Sequence, residues 1–173
     1  MAHICSIGYV ICDSKYNILE KNDIVINPKC EFDSESFEKS GICLAYAEDY
    51  FRLQPDFSVI YPRVRELLTM SDAIFIGHSV FCDAAYLAQN MALYGIPYFD
   101  ITYLDTQKMH VFFNGGEAPS LKKLCEIYNV PVLCEHKSDD DAEMTACVTK
   151  EICRANGVTL EELYENAALL GVL

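Results

Sequence analysis

Positive charge is scarce in this sequence. Thirteen Lys and Arg stand against 26 Asp and Glu, a formal net charge of −13. Such a surface repels polyanions at long range, which argues against non-specific gripping of duplex DNA. Long apolar runs are missing too: no stretch approaches the ~20 residues of a membrane span. No basic patch followed by an apolar core opens the chain, so a secretory signal is not expected. None of the nine cysteines (5, 12, 30, 43, 82, 125, 134, 147 and 153) forms a C-x-x-C pair, which removes the common zinc spacing. Most lie in apolar runs such as Ile11-Cys12, Leu124-Cys125 and Ala146-Cys147-Val148. They read as reduced thiols acting as small core hydrophobes in a cytoplasmic protein. Internal repeats, low-complexity tracts and linkers are also absent.

What is present suits one domain, 1–173. Hydrophobic residues make up 51% of 173, enough to bury a core. His3 to Asp13 alternates as a strand with two largely apolar faces, and Ile18 to Asn27 returns as its hairpin partner after a turn-rich connection. Glu31 to Asp49 reads as loop with short helical pieces. Pro55-Asp56 opens a helix with Phe57, Ile60, Val64, Leu67 and Leu68 on one face. Ala73 to His78 reads as a buried parallel strand, and a helix follows from about Ala84 to Tyr94. Tyr98 to Asp105 is a further strand. Ser120 caps a helix carrying Leu121, Leu124, Cys125 and Tyr128. A helix starting near Asp141 runs towards Asn156-Gly157. Thr159 and Glu162 form a capping box for a last helix, expected to end near Gly171. Strands alternating with helices imply an α/β fold, a mixed sheet with helices packed on it.

The chemistry concentrates where strands end. In open α/β sheets ligands bind beyond the carboxyl ends of the strands. Gly77 to Asp83 lies at one such end and Asp105-Thr106 at the next. His136 to Asp141, with three consecutive aspartates, fits two readings equally: an acidic helix cap, or a proton-transfer histidine beside a metal-binding carboxylate. Asp83, Asp105 and Asp141 brought to one edge would repel each other unless cations neutralise them. Hard oxygen ligands suit Mg2+ or Mn2+. Two such ions near a phosphodiester activate water and stabilise the leaving oxygen, with His136 placed to accept the proton.

These segments resemble the DEDDh 3′–5′ exonucleases, the group of the polymerase proofreading subunit and RNase T. Gly77-His78-Ser79-Val80-Phe81-Cys82-Asp83 is similar to the family's G-H-N-x-x-F-D motif, and His136-x-x-x-x-Asp141-Ala142 to its H-x(4)-D-A motif. Asp105-Thr106, Ser120-Leu121-x-x-Leu124, Ile4-x-x-Ile7-Gly8 and Asn27-Pro28 match further landmarks in the family's order. The resemblance implies a ribonuclease H-like fold and two-metal hydrolysis from a 3′ end. It implies His136 as general base, Asp83 and Asp141 as catalytic acids and metal ligands, and substrate contacts from His78, Ser79, Phe81 and Asp105. Single-stranded DNA or RNA 3′ ends are the expected substrate, in keeping with the charge. Two departures stand out in the second motif, Ser79 for Asn and Cys82 for Phe.

A larger departure lies at the start. The family's D-x-E motif occupies a strand just before the I-x-x-I-G segment, and here only Met1-Ala2-His3 precede Ile4. The domain is therefore expected to lack its first strand and both acids, which Glu20, Asp23, Glu31 and Asp33 do not replace. Either the recorded start is an internal methionine, the favoured reading, or this is a short form completed by a homodimer or strand-donating partner. A non-catalytic nucleic-acid-binding or interaction module on the same fold is the alternative function. The 173-residue chain is expected to bind metal weakly and to show little or no nuclease activity.

Overall fold

A computed structural model describes residues 3–32 and 45–166, and the backbone of 170–172. The hairpin forms as expected. Strand β1 (Ser6–Cys12) pairs antiparallel with β2 (Ile18–Val25), Ser6 opposite Val25, with the register shifting between Ile11 and Cys12. Asp13 closes the turn by accepting from the N–H groups of Lys15 at 2.8 Å and Asn17 at 2.9 Å. Most of the Glu31–Asp49 stretch lies outside the described residues; its end holds helix α1 (Glu48–Arg52).

Helix α2 (Phe57–Leu68) starts where Asp56 accepts from Ser58 N at 3.1 Å and Val59 N at 3.4 Å. It leads to strand β3 (Phe75–Gly77) and helix α3 (Val80–Leu93). Strand β4 (Thr102–Asp105) then runs parallel to β3, Gly77 opposite Asp105. Helices α4 (Thr106–Asn114), α5 (Leu121–Tyr128), α6 (Ser138–Asn156) and α7 (Leu160–Tyr164) follow. Strand β5 (Leu170–Val172) closes the described chain, antiparallel on the far side of β4.

The structure corrects several expectations. Helix α4 has no counterpart in the sequence reading. The last helix keeps its capping box at Thr159 and Glu162 but stops at Tyr164, and Leu170–Val172 is strand rather than helix. The single mixed sheet is two sheets, β1-β2 and β3-β4-β5, with no ladder between them among the described residues. With partners on one side only, β1 and β3 are half-buried rather than fully covered.

Helix α6 joins the two sheets, packing against β1, β2 and β3 and also against α4 and α5. Its approach to β1 is close. A Cβ on Gly8 would lie 1.9 Å from the carbonyl carbon of Ser138 and 2.2 Å from Asp139 N. Only glycine leaves room for backbone to meet backbone there. One core, built on Leu104, Met109, Leu124, Met144, Val148 and Ile152, sits among α4, α5, α6 and β4. A second, on Ile26, Phe57, Val64, Leu87 and Met91, lies between the end of the hairpin, α2 and α3. Of the described cysteines, Cys125 and Cys153 are buried, whereas Cys82 and Cys134 are exposed and not core residues. Burial raises the thiol pKa at Cys5, Cys12, Cys125, Cys147 and Cys153, so these remain protonated.

Candidate active site

Two segments approach the site from different sheets. The first is the junction after β3. Its chain turns at Ser79, whose backbone is left-handed (φ 57°, ψ 41°), and enters α3 without a cap from its own side chain. The cap comes from the neighbouring strand. Asp105 accepts from Ser79 N at 3.2 Å, Val80 N at 3.0 Å and Gln107 N at 2.9 Å, holding the starts of α3 and α4 together. The residue is 5% exposed. Its carboxylate, expected to touch substrate, is enclosed and accepts from three backbone donors.

His78 lies beside this clamp. Its Nδ1 is 2.9 Å from Thr106 Oγ1, and burial lowers its pKa, so the ring is neutral at neutral pH. Asp83 follows in the first turn of α3, on the exposed side, with Phe81 (78% exposed) and Cys82 next to it in the chain. Protein atoms crowding the carboxyl raise its pKa to about 6, and the Asp105 charge adds to the rise.

The second segment is the start of α6, where the three aspartates separate into different tasks. Asp139 is 8% exposed, with Lys137 Nζ 2.8 Å from its Oδ1. Asp140 pairs with Lys21 of β2, which also holds Glu143 at 2.8 Å; the Lys21 contact keeps the Asp140 pKa low. Ser138 Oγ donates to Asp23 at 2.7 Å. These contacts fasten α6 to the hairpin. Asp141 takes no part in them. Its carboxylate accepts from the backbone N–H of His136, while burial raises its pKa. His136 itself is exposed and left-handed, at φ 65°.

His136 and Asp141 are thus joined directly, while Asp83 stands on the other segment. Neither acid is among the other's principal charged neighbours, which are Asp105 for Asp83 and His136, Asp140 and Glu135 for Asp141. Among the described residues no three His, Cys, Asp or Glu side chains converge in a group able to hold a metal ion. The donors among the described residues do not by themselves fit the expected pair of ions. Sequence reasoning missed Lys21 and Ser138, because pairing across 119 residues (Lys21 to Asp140) or 115 (Ser138 to Asp23) leaves no local pattern. The Asp105 cap was findable, since Asp-Thr after a strand is an N-cap signal.

No curated protein matches the chain. Among solved structures, exonuclease X in complex with 5′ overhanging duplex DNA matches with a TM-score of 0.67 at 16% identity, covering 94% of this chain and 90% of that one. At that identity the likeness shows the fold, a ribonuclease H-like α/β arrangement with helices flanking small sheets. The exonuclease family model named for RNase T matches residues 1–149. The chain therefore belongs to the RNase T exonuclease family.

Proposed function

We propose that the chain is a 3′–5′ exonuclease domain acting on single-stranded DNA or RNA ends. The exposed His136, whose backbone N–H is held by the Asp141 carboxylate, carries this reading. His136 takes the proton as a water oxygen attacks phosphorus, and the 3′ oxygen leaves, releasing a nucleoside monophosphate. Asp83 and Asp141 face the scissile group. Phe81 offers a ring for the terminal base. His78, fixed by Thr106 at one nitrogen, offers the other to a sugar or phosphate oxygen, beside Ser79. The DNA bound to the solved relative supports a nucleic-acid substrate.

The family generally uses divalent cations, and Asp83 and Asp141 are hard donors of the kind Mg2+ and Mn2+ prefer. Two carboxylates fall short of a site, so every step above is drawn from the chain's own residues. The same shortfall favours a second reading, a non-catalytic nucleic-acid-binding module on this fold, or one completed by a homodimer or strand-donating partner.

The deciding assay follows a 5′-labelled single strand, DNA and RNA in parallel, with Mg2+ or Mn2+. His136→Ala is expected to slow mononucleotide release by about 100-fold or more, and Asp141→Asn likewise. Release at the wild-type rate by His136→Ala overturns the assignment of the base. No release by any form, with no heat of Mn2+ binding by calorimetry, selects the module.

A further inference from the structure

Arg65 sets the starting point. Of the four arginines, Arg52 pairs with Glu48, Arg63 with Glu20 and Glu66, and Arg154 with Glu151. Arg65 makes no ion pair among the described residues, in a chain of net charge −13. An exposed guanidinium left unpaired amid so many carboxylates is available to an anion from outside.

Its surroundings are shallow and aromatic. Arg65 and Tyr61 line two adjoining hollows of about 390 and 190 Å3, the first reaching Thr69 and the second Pro97, Tyr98 and Phe99. Tyr61 is half-buried, its ring 5.9 Å from that of Phe57, and so is held in place, while Tyr98 is 49% exposed. The carboxylate on the rim, Glu66, is neutralised by Arg63 at 2.9 Å. The hollows lie where residues 96–99 lead into the amino end of β4. The His78–Asp105 junction is at the carboxyl end of that strand, roughly 10 Å or more away along its four residues. They belong to the opposite edge of the sheet.

We propose that the Tyr61–Arg65–Tyr98 hollow is a second nucleic-acid site, holding one nucleotide unit of a single strand away from the scissile end. A base stacks on the exposed tyrosine face, and the guanidinium takes the adjoining phosphate as a bidentate donor. The rings of Tyr61, Tyr98 and Phe99 beside Arg65 favour a base-bearing anion over a purely acidic peptide, which has charge for Arg65 and nothing for the rings. The site rests on the nucleic-acid reading of the family but not on the cleavage chemistry. It gives an acidic chain a point of hold on a polyanion.

The test measures binding of labelled oligo-dT and oligo-rU by anisotropy in EDTA, which separates holding from cutting. Arg65→Gln is expected to weaken binding about tenfold and to reduce the log–log salt slope by about 0.7. Arg65→Lys recovers part of the affinity. Tyr98→Ala is expected to weaken oligonucleotide binding about tenfold while leaving inorganic polyphosphate binding unchanged. Both side chains are exposed, and a circular dichroism melt verifies that the variants fold. Wild-type affinity in Arg65→Gln and Tyr98→Ala overturns the site, as does absence of oligonucleotide binding, or displacement of oligo-dT by hexaglutamate as readily as by unlabelled dT. A chain that cuts but shows no Arg65 dependence loses this site and keeps its proposed function. One that binds through Arg65 but never cuts does the reverse.

Discussion

Asp83 carries a cost that pH exposes. Its carboxyl titrates near 6 in the fold against the ordinary 3.8, chiefly because protein atoms exclude water around it. A raised carboxyl pKa means the folded state holds the proton more tightly. The associated stability is present below pH ~4 and is lost as pH rises through ~6. In EDTA, Asp83→Asn is expected to melt higher than the parent at pH 7.5, with the advantage vanishing below pH 4; melting curves across that range check it. No gain at pH 7.5 would mean that the carboxylate is adequately solvated. At this scale the sequence was legible where partners are close along the chain. His136 and Asp141 sit five positions apart, and the Asp141 carboxylate accepts from the His136 backbone N–H. Lys21 and Asp140 sit 119 apart, and only folding reveals that pair. Asp105 was placed at the right edge, but its capping role was not read, because its three donors stand at the starts of α3 and α4, one of them 26 residues away.

Two contacts between elements hold the site. The first is the double cap by Asp105. Asp105→Ala strands buried N–H groups at the starts of α3 and α4 and is expected to cost about 3 kcal/mol in urea titration. Asp105→Asn retains an acceptor for two of the three donors and costs less. The second is the seat of α6 on β1. Gly8→Ala places a methyl against the Ser138 backbone and is expected to cost about 2–3 kcal/mol, lowering the denaturation midpoint without changing its slope. Elements with their own punctuation were readable in advance: Asp56, Ser120 and Thr159 cap helices as their sequences announce. Helix α4 was hidden because its cap, Asp105, doubles as the end of β4, so the chain passes from strand to helix without a loop. Strand β5 was hidden because three residues paired to a distant strand carry no periodicity.

The described residues form two small sheets held on one helix. The α/β class followed from the order of elements, but the division did not, since ladder partners are chosen in space. Ile152 of α6 is fully buried in the larger core. Ile152→Ala is expected to cost about 3 kcal/mol, and the loss should appear as one transition by far-ultraviolet dichroism and tyrosine fluorescence alike. Separate transitions would show that the sheets melt independently. The exposed pair Cys82 and Cys134 gains a use from this division. Cys82 precedes Asp83 on the β3–β4 side, and Cys134 lies two residues before His136 on the α6 side. The other described cysteines are buried or half-buried. With Cys43 changed to serine, spin labels on these native thiols form a ruler across the site. Electron resonance would then read the span between its two halves in the free chain, with Mn2+-free nucleic acid and with an added strand, before any residue of the site is altered.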